Sequence, residues 1–303
     1  MIDFQKIKLE DKCVYEKYLF DGNEHGCPYS FANLYLWGRQ KMAIVEDNVL
    51  LFSQFDRRSL YPFPLGNGDK KAALDKIIQD AKERGIPCRI NALQQKEREI
   101  LEELYPNQFR FHRNRDGAEY VYAIDDLADL KGKKYHKKRN HFYRFQDTFP
   151  GYTLESINES NLEKIKQMAK EWYEEKMKES PDTDYLMEKA ALEKAIRDFK
   201  PLELIGLAIF HGGKVLAFSI GSFLSEDTVD VHFEKADVSA PIAYTAINQY
   251  FARYVRANFP QVKFLNREED MGIEGLRKAK ESYYPHHMVE SGWACLLEDG
   301  YDY

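Results

Sequence analysis

The chain has few cysteines, and the four present, Cys13, Cys27, Cys88 and Cys295, lie far apart in its 303 residues. None falls in a CxxC pair or a Cys/His ligand spacing, so no metal site is expected. Cys88 and Cys295 sit in strand-like runs and read as buried hydrophobes. Also lacking is any run near the roughly 18 apolar residues that a membrane helix needs, as is a basic-then-apolar segment at the N-terminus. These absences lead to the expectation of a soluble, cytoplasmic protein. Positive charge is not in excess either: the net charge of −6 argues against polyanion binding by bulk electrostatics.

Apolar residues make up 44% of the chain and aromatics 14%, ample for two cores of ordinary size. One order of elements occurs twice. KKAALDKIIQDAKERG reads as a helix, IPCRINA as a strand, and QQKEREILEEL as a second helix ending at Tyr105-Pro106. Later, PIAYTAINQYFARYVRANF, VKFLN and IEGLRKAKES repeat that order and end at Tyr284-Pro285, with a strand-like segment again following. Each copy places an Asn at its strand end, Asn91 and Asn266. The repetition predicts a duplicated α/β domain. Around it, KMAIVEDNVLLFSQF reads as a hairpin, as do FRFHRNRDGAEYVYAI, turning at Asp116-Gly117, and LELIGLAIFHGGKVLAFSIGSFL, turning at Gly212-Gly213. The helix after TVDVHFEKAD should start near Ser239, with Pro241 in its first turn.

The copies differ on the second helix. On a 100° wheel Ile273, Leu276, Ala279 and Tyr283 form one apolar face with Lys280 inside it and Arg277 at its border; aligned on the Tyr-Pro pair, the first copy has Leu101 at the position of Lys280. Lys280 either snorkels past the core rim or meets an anion in a cleft. In TVDVHFEKAD the residues Asp230, His232 and Glu234 alternate with Val229, Val231 and Phe233 and so share a face. At a sheet edge that face is simply wet, whereas beside a cleft its carboxylate or imidazole can take a proton from an attacking hydroxyl or amine. Between the copies lies KGKKYHKKRNHFYR, seven Lys or Arg without an acid. Tyr135, Phe142, Phe145 and Phe149 there form one helical stripe, with Lys138 and Arg139 filling its gap, which reads as a helix joining the halves. Its cations form a solvated face or meet a phosphate-bearing partner.

The order of helices, antiparallel hairpin, third strand, helix, strand, helix and last strand is that of the GNAT acyltransferase fold. Two copies with a basic joining helix resemble the tandem-GNAT, Fem-type aminoacyl-tRNA-dependent transferases. KGKKYHKKRNHFYRF, VHFEKAD and LNREEDMGIEGLRKAKESYYP together resemble a bacterial family related to the C-terminal domain of phosphatidylglycerol lysyltransferase. The expected class is α/β (α+β) with mixed sheets: a GNAT-like domain over 1–130, the basic helix over 131–149, and a second GNAT-like domain with the active cleft over 150–303.

The resemblance implies transfer of an aminoacyl group from aminoacyl-tRNA to a lipid headgroup or an amine, with the tRNA acceptor end and membrane lipid headgroups as partners. Such a reaction needs an oriented ester, an oxyanion donor and cations for phosphates. Asn266 is the candidate oxyanion donor. Glu234, His232, Glu268 and Asp270 are candidate proton acceptors. Arg267, Lys280, Lys137, Lys138 and Arg139 are the candidate cations, with Tyr283 beside them. Asn266 and Asp270 also suit turn chemistry ahead of Gly272, and Arg267 and Glu268 suit a simple ion pair. The turn KADVSAPIAY has none of the glycines with which acetyl-CoA-using relatives cradle a pyrophosphate, and Pro241 removes a donor, so acetyl-CoA is disfavoured and no cofactor is expected. A small-molecule N-acyltransferase using a thioester and a non-catalytic RNA- or protein-binding scaffold are the alternative readings.

Overall fold

The computed structural model describes residues 1–22, 26–55, 58–179 and 183–297. The early strands are β1 (Gln5–Lys6), β2 (Gln40–Val45), β3 (Asn48–Phe55), β4 (Arg58–Pro62), β5 (Arg89–Asn91) and β6 (Phe109–Arg113). The later ones are β7 (Glu119–Ala123), β8 (Thr153–Ser156), β9 (Ile205–His211), β10 (Lys214–Ser225), β11 (Thr228–Ala236), β12 (Phe264–Glu269), β13 (His287–Val289) and β14 (Gly292–Leu296). The helices are α1 (Lys12–Gly22), α2 (Phe31–Trp37), α3 (Lys70–Arg84), α4 (Gln95–Leu104), α5 (Ile124–Asp129), α6 (His136–Thr148), α7 (Leu162–Glu179), α8 (Thr183–Arg197), α9 (Ala243–Asn258) and α10 (Glu274–Glu281). The strands form two mixed sheets, β1-β2-β3-β4-β5-β14-β6 and β13-β7-β12-β11-β10-β9-β8. Two compact units are interleaved in sequence: Met1–Tyr120 with Glu269–Lys280 and His287–Tyr303, and Val121–Glu268 with Glu281–His286. The sequence reading divides the chain linearly instead, at 130 and 150.

In the first unit β2 and β3 form the expected hairpin, turning through Glu46 and Asp47, both at positive φ as a tight two-residue turn requires. Strands β4 and β5 run parallel, joined by α3, whose N-cap Asp69 accepts the Ala72 N–H at 3.0 Å. Leu74 and Ile77 of α3 pack with Leu50, Tyr61, Ile90 and the fully buried Leu101 of α4. The hairpin expected at Asp116-Gly117 does not form. β6 pairs instead with β14, from Arg113↔Gly292 to Phe109↔Leu296, and β7 lies in the other sheet. β14 brings the buried Ala294 and Leu296 to the core while satisfying the β6 edge.

The second unit holds the expected β9–β10 hairpin, closed by Gly212 and Gly213 at positive φ, and a parallel β11–β12 pair joined by α9. α9 begins at Ala243, so Pro241 lies in the turn ahead of it rather than inside it. The basic run does form a helix, α6, but all of it belongs to the second unit. Its stripe is covered there: Phe142 lies 5.1 Å from Tyr250 of α9, and Phe145 lies 5.1 Å from Tyr152.

A bulge in β11 alters the reading of its polar face. Ile220 of β10 faces Phe233 and Gly221 faces Val231, so His232 is an extra residue in the ladder. As a result Asp230 lies opposite Ser222 and Glu234 opposite Ser219. Ser219 and Ser222 are on opposite faces of β10, so Glu234 is separated from Asp230. The wheel for α10 also fails. Ile273 is 52% exposed and Ala279 is exposed, Tyr283 lies beyond the helix end, and Lys280 is the buried residue of the helix.

Gly221 permits the bulge, since a Cβ there would stand 2.4 Å from the Asp230 carbonyl oxygen, whereas one at Gly275 in α10 would meet no atom within 4 Å. In urea unfolding Gly221→Ala should therefore destabilise by about 1–3 kcal/mol. Gly275→Ala should be neutral or stabilise by about 0.5 kcal/mol. Equal effects at the two positions would contradict the bulge as drawn.

Candidate functional site

β11 and β12 pair only from Thr228↔Phe264 to Asp230↔Asn266, although β11 runs on to Ala236 and β12 to Glu269. Asn266 is not at the strand end. It is fully buried, its Oδ1 accepts the Glu268 N–H at 2.8 Å, and Glu268 turns into the left-handed region with φ 56°. The side chain expected to serve an oxyanion thus shapes the turn that carries β12 away from β11. Polar side chains fill the gap on both faces.

On one face Arg267 donates from Nη2 to Glu234 Oε1 at 2.9 Å, and Asn248 of α9 donates to Glu234 Oε2 at 3.3 Å. The Arg267 guanidinium lies 5.2 Å from the Tyr283 ring centre and 5.7 Å from that of Tyr122. Lys138 of α6 sits over the Tyr283 ring at 3.7 Å, close enough for a strong cation–π contact. Burial, aided by the neighbouring Arg267 charge and opposed by Glu234, pushes the Lys138 ammonium down to about 8. Burial is the largest influence on the Arg267 guanidinium and works against its charge, but Glu234, Tyr122 and Tyr283 together outweigh it and raise the guanidinium. The Tyr283 phenol is raised by burial, and its backbone carbonyl accepts the Tyr135 hydroxyl at 2.9 Å. Lys138 and Arg267 thus bring two cations to one aromatic ring in a largely desolvated place, an arrangement that suits an anionic group.

On the other face the buried His232 has Ser222 Oγ at 2.8 Å from Nε2, with Glu268 Oε1 at 3.4 Å and Asp230 Oδ2 at 3.6 Å from Nδ1. His232 and Glu268 therefore belong together, but not with Glu234. Arg267 and Glu268 each have a partner on β11, Glu234 and His232 respectively.

The remaining candidates have different surroundings. Asp270, in the first unit, is fully buried and accepts from Arg115, Tyr120, Arg277 and the Gly272 N–H, with both oxygens engaged. Arg277 holds its carboxyl well below the usual carboxylate range, so it is a poor proton acceptor. Lys280, also in the first unit, donates to the Glu269 carbonyl at 2.5 Å and lies 5.7 Å from the Tyr120 ring. Arg139 donates to the carbonyls of Leu130 and Gly132, closing the turn before α6, and Lys137 is exposed.

Asn248 and Thr245 escaped the sequence reading, yet carried a signal. They interrupt the apolar run of α9, a helix buried on nearly every side, so each needs an interior partner. Ahead of that helix the turn is closed on itself. Asp237 Oδ1 accepts from both the N–H and the hydroxyl of Ser239, and the Asp237 carbonyl accepts the Ala240 N–H.

Residues 21–295 match the family model described as "Phosphatidylglycerol lysyltransferase, C-terminal". No curated protein sequence matches the chain. A conserved protein of unknown function from Bacteroides thetaiotaomicron is similar in structure, with 35% identity, a TM-score of 0.92, and coverage of 98% of this chain and 100% of that one. L-PGS from Bacillus licheniformis shares the fold at 15% identity and a TM-score of 0.69, covering 98% of this chain and 94% of that one. A tandem GNAT protein from the clavulanic acid biosynthesis pathway shares it at 8% identity and a TM-score of 0.51, covering 99% of both chains. The fold is therefore tandem-GNAT-like, and the chain belongs to the family of the phosphatidylglycerol lysyltransferase C-terminal domain.

Proposed function

We propose that the protein is an aminoacyltransferase that takes its aminoacyl group from aminoacyl-tRNA and passes it to an amine or a lipid headgroup, with the Glu234–Arg267–Lys138–Tyr283 cluster as its site. The observation that carries the reading is the meeting of two cations, Lys138 and Arg267, over one aromatic ring where β11 and β12 part. Membership of a lysyltransferase family supports the reaction class. An acceptor amine or hydroxyl attacks the ester carbonyl and forms the new C–N or C–O bond. The bond to the tRNA 3′-oxygen breaks, and the attacker's proton passes to Glu234 and from it to the 3′-oxygen, which leaves as a hydroxyl. Arg267 and Lys138 hold a phosphate of the acceptor end or of the headgroup, and Arg267 also orients Glu234.

The turn before α9 favours this reading over a CoA thioester donor. A pyrophosphate cradle needs outward N–H groups, whereas here the Ser239 and Ala240 N–H groups are bonded within the turn and Asp237 adds a negative charge. Among the described residues no helix is long and apolar enough to cross a membrane.

Filter retention of aminoacyl-tRNA at moderate salt tests the site. The unaltered protein should retain it, and Lys138→Gln combined with Arg267→Gln should weaken retention at least about tenfold, the loss of one to two charge-assisted contacts. Retention undiminished in the double variant would place the site elsewhere. No retention by the unaltered protein would remove aminoacyl-tRNA as the donor.

The depressed Lys138 supplies a second test. Its ammonium is charged below a pH of about 8 and neutral above it, so anion binding should weaken as pH rises through that value. In Lys138→Arg, whose guanidinium stays charged, the affinity should be flat over the same range. A flat profile in the unaltered protein would mean that Lys138 does not hold the anion.

A further inference from the structure

The geometry points to a divalent-cation site of the zinc or manganese type, built from Asp230, His232 and Glu268 on the sheet face opposite Glu234. One ligand atom from each of the three lies within 4.8 Å of the others, and Asp230 and His232 are buried. The spacings from the imidazole fit an ion. A charge-assisted N–H···O bond is about 2.7–2.9 Å long, whereas two ligands about 2.0–2.2 Å from a tetrahedral ion stand about 3.3–3.6 Å apart. His232 Nδ1 is 3.4 Å from Glu268 Oε1, at the long limit of a hydrogen bond, and 3.6 Å from Asp230 Oδ2, and both distances match the tetrahedral edge.

Ser222 completes the argument from the far side of the ring. Its Oγ lies 2.8 Å from Nε2, the place of the partner that an imidazole ligand gives its other N–H. In the tautomer that gives Nε2–H to Ser222, the Nδ1 lone pair faces two carboxylates, an arrangement that a cation between them would stabilise. One imidazole and two carboxylates form a mixed nitrogen and oxygen set suited to zinc or manganese, with a fourth position left for water. Glu268, whose side chain is 20% exposed, is the member through which an ion can enter.

The ion would also have a mechanical role. Backbone pairing of β11 with β12 ends at Asp230 and Asn266, and the cluster takes two ligands from β11 and one from β12 at and beyond that point. A bound ion therefore ties the strands where the ladder no longer does, and it fixes Glu268, the residue next to Arg267.

The test uses the full chain, stripped with a chelator and titrated with Zn²⁺, Mn²⁺ and Co²⁺. Zn²⁺ should bind at one ion per chain and raise Tm, and Co²⁺ should give the visible absorption of a four-coordinate ion. Glu268→Gln, at the solvent edge, and His232→Gln should each weaken binding by more than Ser222→Ala, for which loss of the imidazole's partner predicts about 10–100-fold. Nitrogen-15 NMR of the histidines should show His232 Nδ1 bound to metal and Nε2 protonated. The proposal is overturned if the unaltered chain takes up none of the three ions. It is equally overturned if Glu268→Gln and His232→Gln bind as well as the unaltered chain, which would assign uptake to other residues. A His232 ring protonated at Nδ1 with zinc present would also overturn it. None of these readouts depends on aminoacyl transfer, so the two readings stand or fall separately.

Discussion

Backbone pairing between β11 and β12 stops at Asp230 and Asn266, and the unusual chemistry of the second unit follows from that break. Parallel strands that part deep in a sheet leave polar backbone and side chains without ladder partners, a cost that must be met locally. Two devices open the gap: the extra residue His232 in β11, made possible by Gly221, and the left-handed turn at Glu268, held by Asn266. The same devices direct Arg267 to Glu234 on one face and Glu268 to His232 on the other. Removing one partner of such a desolvated pair typically costs about 3–5 kcal/mol, so the side chains around the gap are mutually constrained.

The duplication shows in the local architecture. Each copy joins two parallel strands by a helix, β4–α3–β5 and β11–α9–β12. After β5 the helix α4 contributes Leu101 to a closed apolar core, while at the matching place α10 buries Lys280, whose ammonium is held by a backbone carbonyl and a tyrosine ring. The contrast at that position is real, but the positive charge that gathers around one ring in the second unit comes from Lys138 and Arg267.

Much of this was legible in the sequence because periodicity and turn chemistry are local. The Glu46-Asp47 and Gly212-Gly213 hairpins, the helical basic run and the polar strand around His232 all follow from short-range pattern. Long-range events were not legible. No local signal tells that β14 will take the edge of β6 and leave Asp116-Gly117 without a hairpin, because that depends on which distant apolar strand fits the core. Nor does alternation reveal a bulge: one extra residue at His232 moved Glu234 to the opposite face from Asp230. The wheel for α10 misled for a related reason, since the helix ends at Glu281 and Tyr283 leaves its axis.

The central claim is that the Glu234–Arg267–Lys138 cluster performs aminoacyl transfer. It is tested most directly by incubating the protein with tRNA charged with labelled amino acids and offering either phosphatidylglycerol vesicles or an amine acceptor. The account predicts that label moves from tRNA to one of these acceptors with the unaltered protein, and that Glu234→Gln, which keeps the shape of the side chain but loses its proton-accepting charge, abolishes the movement. Label that stays on the tRNA with every acceptor, or that moves equally well with Glu234→Gln, would contradict it.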